Sequence, residues 1–136
     1  FFEIWLGNQP RRSTYPACRA VIAAGLQEAG SRRSMYDAIQ HGYFLDARNP
    51  SDLAIFAVMA GEIGLDAVRF SQDMRSSLAQ DVLEAELKQA RALGVAGFPT
   101  VIWLRRDKAP EDRFVVLRAG YADTEDLLAR WQELTH

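Results

Sequence analysis

The chain has 136 residues, a hydrophobic fraction of 49%, a charged fraction of 25% and a net charge of −2. This length predicts one soluble domain with a substantial core. The nearly balanced charge argues against nucleic acid or a membrane surface as a partner, and no apolar run reaches the roughly 20 residues of a membrane-spanning helix. A single cysteine excludes an intrachain disulfide and leaves the compartment open between cytoplasm and periplasm.

The first 13 residues predict a lead-in strand followed by a loop. Residues 1–6 are apolar and aromatic, as is typical of a short strand or a packed lead-in, and residues 7–13 contain a glycine and a proline. The chain begins with Phe1 and carries no signal-peptide pattern. We therefore expect these residues to belong to a longer native sequence.

Five helices are predicted between residues 14 and 94. Thr14 and Pro16 mark the first start, Asp52 and Asp66 are capping residues for later helices, and Gly94 suits a helix exit. The second helix begins at Ser31 or Ser34, and the fifth at Ser76 or Ser77. Helical spacing predicts that the first helix turns Cys18, Val21, Ile22, Gly25 and Leu26 inward. The later helices are predicted to bury Met35, Ile39, Tyr43, Leu53, Phe56, Ala57, Ala60, Val68, Phe70, Leu78, Val82, Ala85, Leu87 and Leu93, with Phe44 as a further inward candidate.

After Pro99 the apolar pattern changes from helix to strand. Residues 101–104 and 114–117 predict two strands joined by a polar connection, and Gly120-Tyr121 predicts a turn. Asp123 or Thr124 then caps a last helix, whose inner face is expected to carry Leu127, Leu128 and Trp131. Because an isolated two-stranded sheet is at best marginally stable, we expect a further strand from elsewhere.

The peptide Phe98-Pro99-Thr100 is the strongest candidate for a binding site. Proline is tolerated at the first residue of a strand, and an X-Pro bond can be cis at low cost. A cis proline here would turn the backbone N–H and C=O of Phe98 outward, where another chain could pair with them. The pattern therefore makes this peptide a candidate binding edge, and a cis Phe98–Pro99 bond is expected only where the glycine-flanked context is combined with a family resemblance.

Three segments together resemble the DsbA-like branch of the thioredoxin superfamily, and bacterial predicted protein-disulfide isomerases most closely. They are Ser-Thr-Tyr-Pro-Ala-Cys-Arg-Ala-Val at residues 13–21, Gly-Leu-Asp at 64–66, and Gly-Val-Ala-Gly-Phe-Pro-Thr at 94–100. The resemblance implies an α/β thioredoxin-like fold with a large inserted helical subdomain. The implied division is a lead-in at 1–13, the helical subdomain at 14–94, and a C-terminal part at 95–136. The family's N-terminal strand and helix are expected to be missing.

The resemblance also implies a thiol–disulfide oxidoreductase or isomerase. The family's Cys-x-x-Cys is absent, so no catalytic residue is assigned and the chain alone is expected to be inactive. Pro99 would face the missing cysteines, and the backbone of Phe98 would pair with an extended or unfolded polypeptide without a cofactor. A sheet edge left exposed by a missing strand also favours a homodimer.

Two other functions stay open. Kappa-class glutathione transferases and hydroxychromene-carboxylate isomerases are similar scaffolds that hold glutathione at this loop, and a lone serine or cysteine near the first helix would mark them. The second alternative is a non-enzymatic helical binding module that uses the Pro99 edge or an apolar groove. The residues upstream of Phe1 would discriminate among these functions.

Cys18 is the one thiol of the chain and has two interpretations. Its place in a first helical turn beside Arg19 favours a reactive thiolate. Its inward spacing favours a small buried side chain, which is the interpretation we prefer here. His41 is the one internal histidine, so a metal site is not expected.

Overall fold

The structure is a computed structural model that describes residues 13–135. It contains helices α1 (Tyr15–Gln27), α2 (Ser31–Phe44), α3 (Leu53–Glu62), α4 (Ala67–Arg75), α5 (Ser77–Ala92) and α6 (Thr124–Thr135), strands β1 (Thr100–Leu104) and β2 (Phe114–Ala119), and a 3₁₀ turn (Pro110–Asp112). This order agrees with the predicted five helices, hairpin and last helix. The predicted strand at residues 1–6 lies outside the described residues. No helix in the described range is both long and apolar enough to cross a membrane.

The chain divides into two compact units, Phe1–Ala85 and Glu86–His136. The division falls inside α5, whereas the boundary inferred from the sequence lies at the end of that helix. The first unit holds the helices up to the middle of α5. The second unit holds the rest of α5, the hairpin and α6.

Side-chain caps begin α3 and α4 where the sequence predicts them, whereas Thr14 at the start of α1 makes no side-chain cap bond. Asp66 precedes α4 and accepts hydrogen bonds from the backbone N–H groups of Val68 and Arg69 at 2.8 and 2.9 Å. Asp52 precedes α3 and accepts one bond, from the N–H of Ala54 at 2.9 Å. Such bonds pair backbone donors that a helix start otherwise leaves without an intrahelical partner.

The core of the first unit is built from side chains of α1, α2, α3 and α4. Its largest fully buried side chains are Phe56, Phe70 and Met35. The cluster consists of Ala20, Ala23, Ala24, Met35, Ile39, Phe56, Met59, Ala60, Phe70 and Met74. Five of these ten residues were predicted to face inward, namely Met35, Ile39, Phe56, Ala60 and Phe70, and together the ten form a conventional hydrophobic core.

The buried face of α1 differs from the prediction. It is centred on Ala20, Ala23 and Ala24, all of which are 0% exposed, whereas Cys18 is exposed. Alanine side chains allow neighbouring helices to approach closely, and the helices around α1 use that space. Of the residues predicted to face inward, Ile22 is 3% exposed and Val21 packs against the core, so the prediction is confirmed for these two and wrong for Cys18.

Two other inward predictions are wrong for a related reason. Val68 is 70% exposed and Leu78 is 55% exposed. In α4 the buried pair is Phe70 and Met74, and a residue two positions before Phe70 lies about 200° around the helix. Leu78 likewise lies outside the buried pair of α5, whose members are Ala79 and Leu83. Of the remaining inward candidates, Leu53 is 36% and Phe44 49% exposed, and Ala85 is also exposed.

An ion pair links the turn after α2 to the end of α3. The guanidinium of Arg48 donates to both carboxylate oxygens of Glu62, at 2.7 and 2.9 Å, and lies 3.6 Å from Asp46. The bond to Arg48 lowers the pKa of Glu62, and the bond to Glu62 raises the pKa of Arg48. Because the pair is open to solvent, its contribution to the stability of the fold is small.

The second unit contains a two-stranded antiparallel sheet with α6 packed on it. Thr100 pairs with Ala119 at one end of the sheet, and Leu104 pairs with Phe114 at the other. The rings of Trp103 and Trp131 meet edge to face at 6.3 Å.

Between residues 86 and 135, however, no side chain is buried. Leu128 and Trp131, on the predicted inner face of α6, are 51% and 44% exposed. Two strands and one helix cover too little area to enclose a core.

Candidate functional site

Residues 95–99 form the loop that follows Gly94 and leads into β1. The end of α5 fixes the start of this loop. Gly94 adopts a φ of +77°, and its N–H donates to the carbonyl of Arg91 at 3.0 Å. The N–H of Val95 donates to the carbonyl of Ala90, also at 3.0 Å. These two bonds form a Schellman helix end, which favours glycine at the left-handed position. The predicted exit at Gly94 is therefore confirmed.

The other end of this segment, which we call the Pro99 loop, is tied to the hairpin. The Phe98–Pro99 peptide bond is cis, as the glycine-flanked context and the family resemblance together led us to expect. The carbonyl of Pro99 accepts a hydrogen bond from the N–H of Gly120 at 2.8 Å, and the hydroxyl of Thr100 donates to the carbonyl of Gly97 at 2.6 Å. The loop thus has bonded anchors on both sides of Phe98.

Phe98 itself lies open between these anchors. Its side chain is 82% exposed. Within residues 13–135, its backbone N–H and C=O make no hydrogen bond. Because unpaired backbone groups beside a strand end can accept a further extended chain, the geometry offers one donor and one acceptor for main-chain pairing.

The Pro99 loop has groups that can bind a ligand, but it has no group for acid–base or thiol chemistry. Residues 94–100 contain no acid, base or thiol. The loop supplies main-chain hydrogen-bonding groups, the ring of Phe98, the exposed ring of Pro99 and the half-buried Thr100. The structure therefore places the three predicted site residues on one anchored segment, which carries no carboxylate, imidazole, amine or thiol of its own.

Cys18 lies in the other unit, on the exposed side of α1. The interpretation that we preferred from the sequence, a buried small side chain, is wrong, because α1 packs through its alanines instead. Exposure allows the thiol to react but assigns it no role.

We expect the native protein to react with the thiol reagent DTNB at Cys18, because the residue is exposed without unfolding. The rate should lie within about tenfold of the rate for the urea-unfolded chain, since the exposed thiol meets the reagent without unfolding and the remaining difference comes from its thiolate fraction. Absorbance of the released chromophore measures both rates. A reaction seen only in denaturant would contradict the exposed position.

The remaining titratable candidates do not form a centre. His41 lies on α2, where its Nδ1 is 3.3 Å from a carboxylate oxygen of Asp46. Between Ser13 and Thr135, no three His, Cys, Asp or Glu side chains are grouped so that they could hold a metal ion.

Sequence analysis missed one residue near the loop. Tyr121, placed only in a turn by its sequence, follows Gly120, whose N–H binds the carbonyl of Pro99. Its side chain is 85% exposed. The signal available in the sequence was the Gly-Tyr pair, but the hydrogen bond to Pro99 joins residues that are distant along the chain.

The sequence of the chain matches a family model and a characterised relative. The thioredoxin family model matches residues 3–119. The chain is 26% identical over 127 residues to the ClpXP adapter protein SpxH of Bacillus subtilis (strain 168), a match over 93% of this chain and 42% of that protein.

Two solved structures are similar in fold. A candidate protein disulfide isomerase from Nitrosomonas europaea superposes with a TM-score of 0.76 at 24% identity, over 99% of this chain and 64% of that one. The cytosolic disulfide reductase DsbM from Pseudomonas aeruginosa gives a TM-score of 0.70 at 21% identity, over 97% and 63%. The chain therefore spans less than two thirds of each relative, and these likenesses confirm the predicted thioredoxin-like fold.

Proposed function

Because this chain belongs to the thioredoxin family, we propose that it holds an extended polypeptide for thiol–disulfide exchange. The Pro99 loop is the holding element. The redox cysteines are supplied by residues other than these 136, which contain one cysteine.

The observation that carries the proposal is the open backbone of Phe98 on an otherwise anchored loop. The bonds from Gly120 to Pro99 and from Thr100 to Gly97 fix the segment, so little order is lost when a second chain pairs with it. Main-chain pairing binds many sequences. That tolerance suits a protein whose substrates are unfolded polypeptides of varied sequence.

In the exchange itself, a thiolate of the redox pair attacks one sulfur of a substrate disulfide. The attack forms a mixed disulfide and releases the other substrate sulfur as a thiolate. The second thiolate of the pair then attacks the mixed disulfide, so that the pair becomes oxidised and the substrate gains two electrons and, on protonation, two protons. The part assigned to this chain is to hold the polypeptide beside that pair.

The test is binding of a short, extended, cysteine-free peptide to the ¹⁵N-labelled chain, followed by amide NMR shifts. We expect the amides of Phe98 and Thr100 to move on titration. N-methylation of two consecutive central peptide bonds should weaken binding at least about tenfold, because it removes the donors on both edges of the peptide. The matched control carries the same two N-methyl groups at the peptide's end and should bind as the parent does.

Two results would overturn the proposal. One is equal affinity for the parent and the centrally methylated peptide, which would exclude main-chain pairing. The other is displacement of the peptide by glutathione together with stronger shifts at Phe98 and Thr100, which would favour the glutathione-binding alternative.

A second candidate is a non-enzymatic adapter, which the match to a ClpXP adapter protein favours. An adapter recognises a particular partner, whereas a disulfide-exchange protein binds unfolded chains in general. Affinity for one peptide sequence alone, lost when the order of its residues is scrambled, would favour the adapter. Similar affinity for parent and scrambled peptides supports the proposal above.

A further inference from the structure

A cavity of about 330 Å³ lies between β2 and α6 in the second unit. Its volume is at the lower end of the range for sites that bind small molecules. Four of its residues come from α6, at the spacing that places side chains on one face of a helix, and two are consecutive on β2. The lining residues are Leu117, Arg118, Asp126, Ala129, Arg130 and Glu133. Because most of these side chains are charged, the cavity suits a charged ligand.

An irregularity in the sheet accounts for the two consecutive residues of β2. Val101 pairs with Arg118, but the next residue of β1, Ile102, pairs with Val116. Leu117 is therefore the extra residue of a bulge, where the alternation of side chains between the two faces of a sheet is interrupted. Both Leu117 and Arg118 line the cavity. Bulges are common beside binding sites, because they turn a side chain toward the site.

Two of the four charged side chains in the cavity are unpaired. Arg130 Nη1 lies 3.0 Å from Glu133 Oε2, so these two residues form an ion pair along α6. Within residues 13–135, the guanidinium of Arg118 and the carboxylate of Asp126 make no ion pair and no hydrogen bond, either with each other or with a third group. The cavity therefore offers one cation and one anion that lie too far apart to pair.

This charge arrangement indicates the kind of ligand. A simple anion would pair with Arg118 but would also meet the carboxylates of Asp126 and Glu133, and a simple cation would meet two guanidinium groups. A zwitterion satisfies both unpaired groups, since its carboxylate pairs with Arg118 and its ammonium group pairs with Asp126. An aliphatic chain between the two charges of the ligand would span the gap and contact Leu117 and Ala129.

We propose that the cavity between β2 and α6 binds a small zwitterion, in which an aliphatic chain separates the ammonium group from the carboxylate. Arg118 donates two N–H groups to the carboxylate of the ligand, and Asp126 accepts from its ammonium group. The site shares no residue with the Pro99 loop, so this inference goes beyond the proposed function and does not depend on it.

The test is titration of the ¹⁵N-labelled chain with ω-aminohexanoate, followed by amide NMR shifts. We expect saturable shifts at Arg118 and Ala129, with a dissociation constant on the order of 10 mM, because the ligand is small and the cavity is open to solvent. Hexanoate and hexylamine, which each lack one of the two charges, should bind at least about threefold more weakly. No saturation at about ten times that concentration, or equal affinity for hexanoate, would overturn the inference.

Two substitutions test the assigned residues. Arg118→Gln and Asp126→Asn should each weaken the binding of ω-aminohexanoate at least about threefold. Both residues are exposed, so the variants are expected to fold, and helical circular dichroism checks this. The matched control is Arg106→Gln, which removes an exposed guanidinium from the connection between β1 and β2 and should leave the affinity unchanged. Unchanged binding by Arg118→Gln would overturn the inference.

The same experiments distinguish two other outcomes. Shifts confined to Phe98 and Thr100 would place the ligand at the Pro99 loop and would overturn the inference, whereas the result of the peptide titration has no bearing on it. Sedimentation tests whether a second copy of this chain occupies the cavity instead. Dimers that Arg118→Gln dissociates would also overturn the inference.

Discussion

Replacing Phe70 with alanine is expected to destabilise the first unit by about 3–5 kcal/mol. Phe70 is 0% exposed and belongs to the central cluster, so the change removes a whole ring and leaves a cavity that surrounding helices fill only in part. Since a domain of this size is stable by about 5–15 kcal/mol, such a loss takes a large share of the total. Urea unfolding followed by helical circular dichroism measures it.

The matched control lies on the same helix. Val68 is 70% exposed, and Val68→Ala should change the free energy of unfolding by less than about 0.5 kcal/mol. Phe70→Leu keeps most of the apolar volume and should cost clearly less than Phe70→Ala. Equal losses for Phe70→Ala and Val68→Ala would contradict the orientation of α4.

Replacing Ala23 with leucine is expected to cost about 1–3 kcal/mol, although leucine is a good helix former. Ala23 is 0% exposed on the alanine face of α1. The added carbons have no space there, because close helix contacts already fill the volume around α1. The cost is measured by the same urea unfolding.

Ala54→Leu provides the comparison for this change, because Ala54 is exposed on α3. There the same substitution should alter stability by less than about 0.5 kcal/mol. A tolerated Ala23→Leu would contradict the close packing of helices around the alanines of α1.

Features that depend on neighbouring residues could be predicted from the sequence. Asp52 and Asp66 cap the helices that they precede because their side chains reach N–H groups two or three residues away. Gly94 ends α5 because a left-handed residue is needed at that point. The proposed binding residues Phe98, Pro99 and Thr100 are consecutive, so one short pattern was sufficient to indicate them.

Features that depend on what packs against an element could not be predicted from its pattern. The pattern of α4 contains both Val68 and Phe70, and only the positions of the other helices determine that Phe70 is buried. In α1 the larger apolar residues correctly indicated that Ile22 is buried, but the pattern did not indicate that close packing also buries Ala20, Ala23 and Ala24. Cys18 was consequently assigned to the core, whereas it is exposed.

The amino-acid sequence by itself determined the order of helices and strands, the capped helix starts and the Pro99 loop. These depend on backbone preferences and on hydrogen bonds that close within a few residues. Only the tertiary structure decided which side of each helix is buried and that Tyr121 lies beside the loop. Both depend on contacts between residues far apart in sequence, such as the bond from Gly120 to Pro99, whose partners come together only when the hairpin has formed.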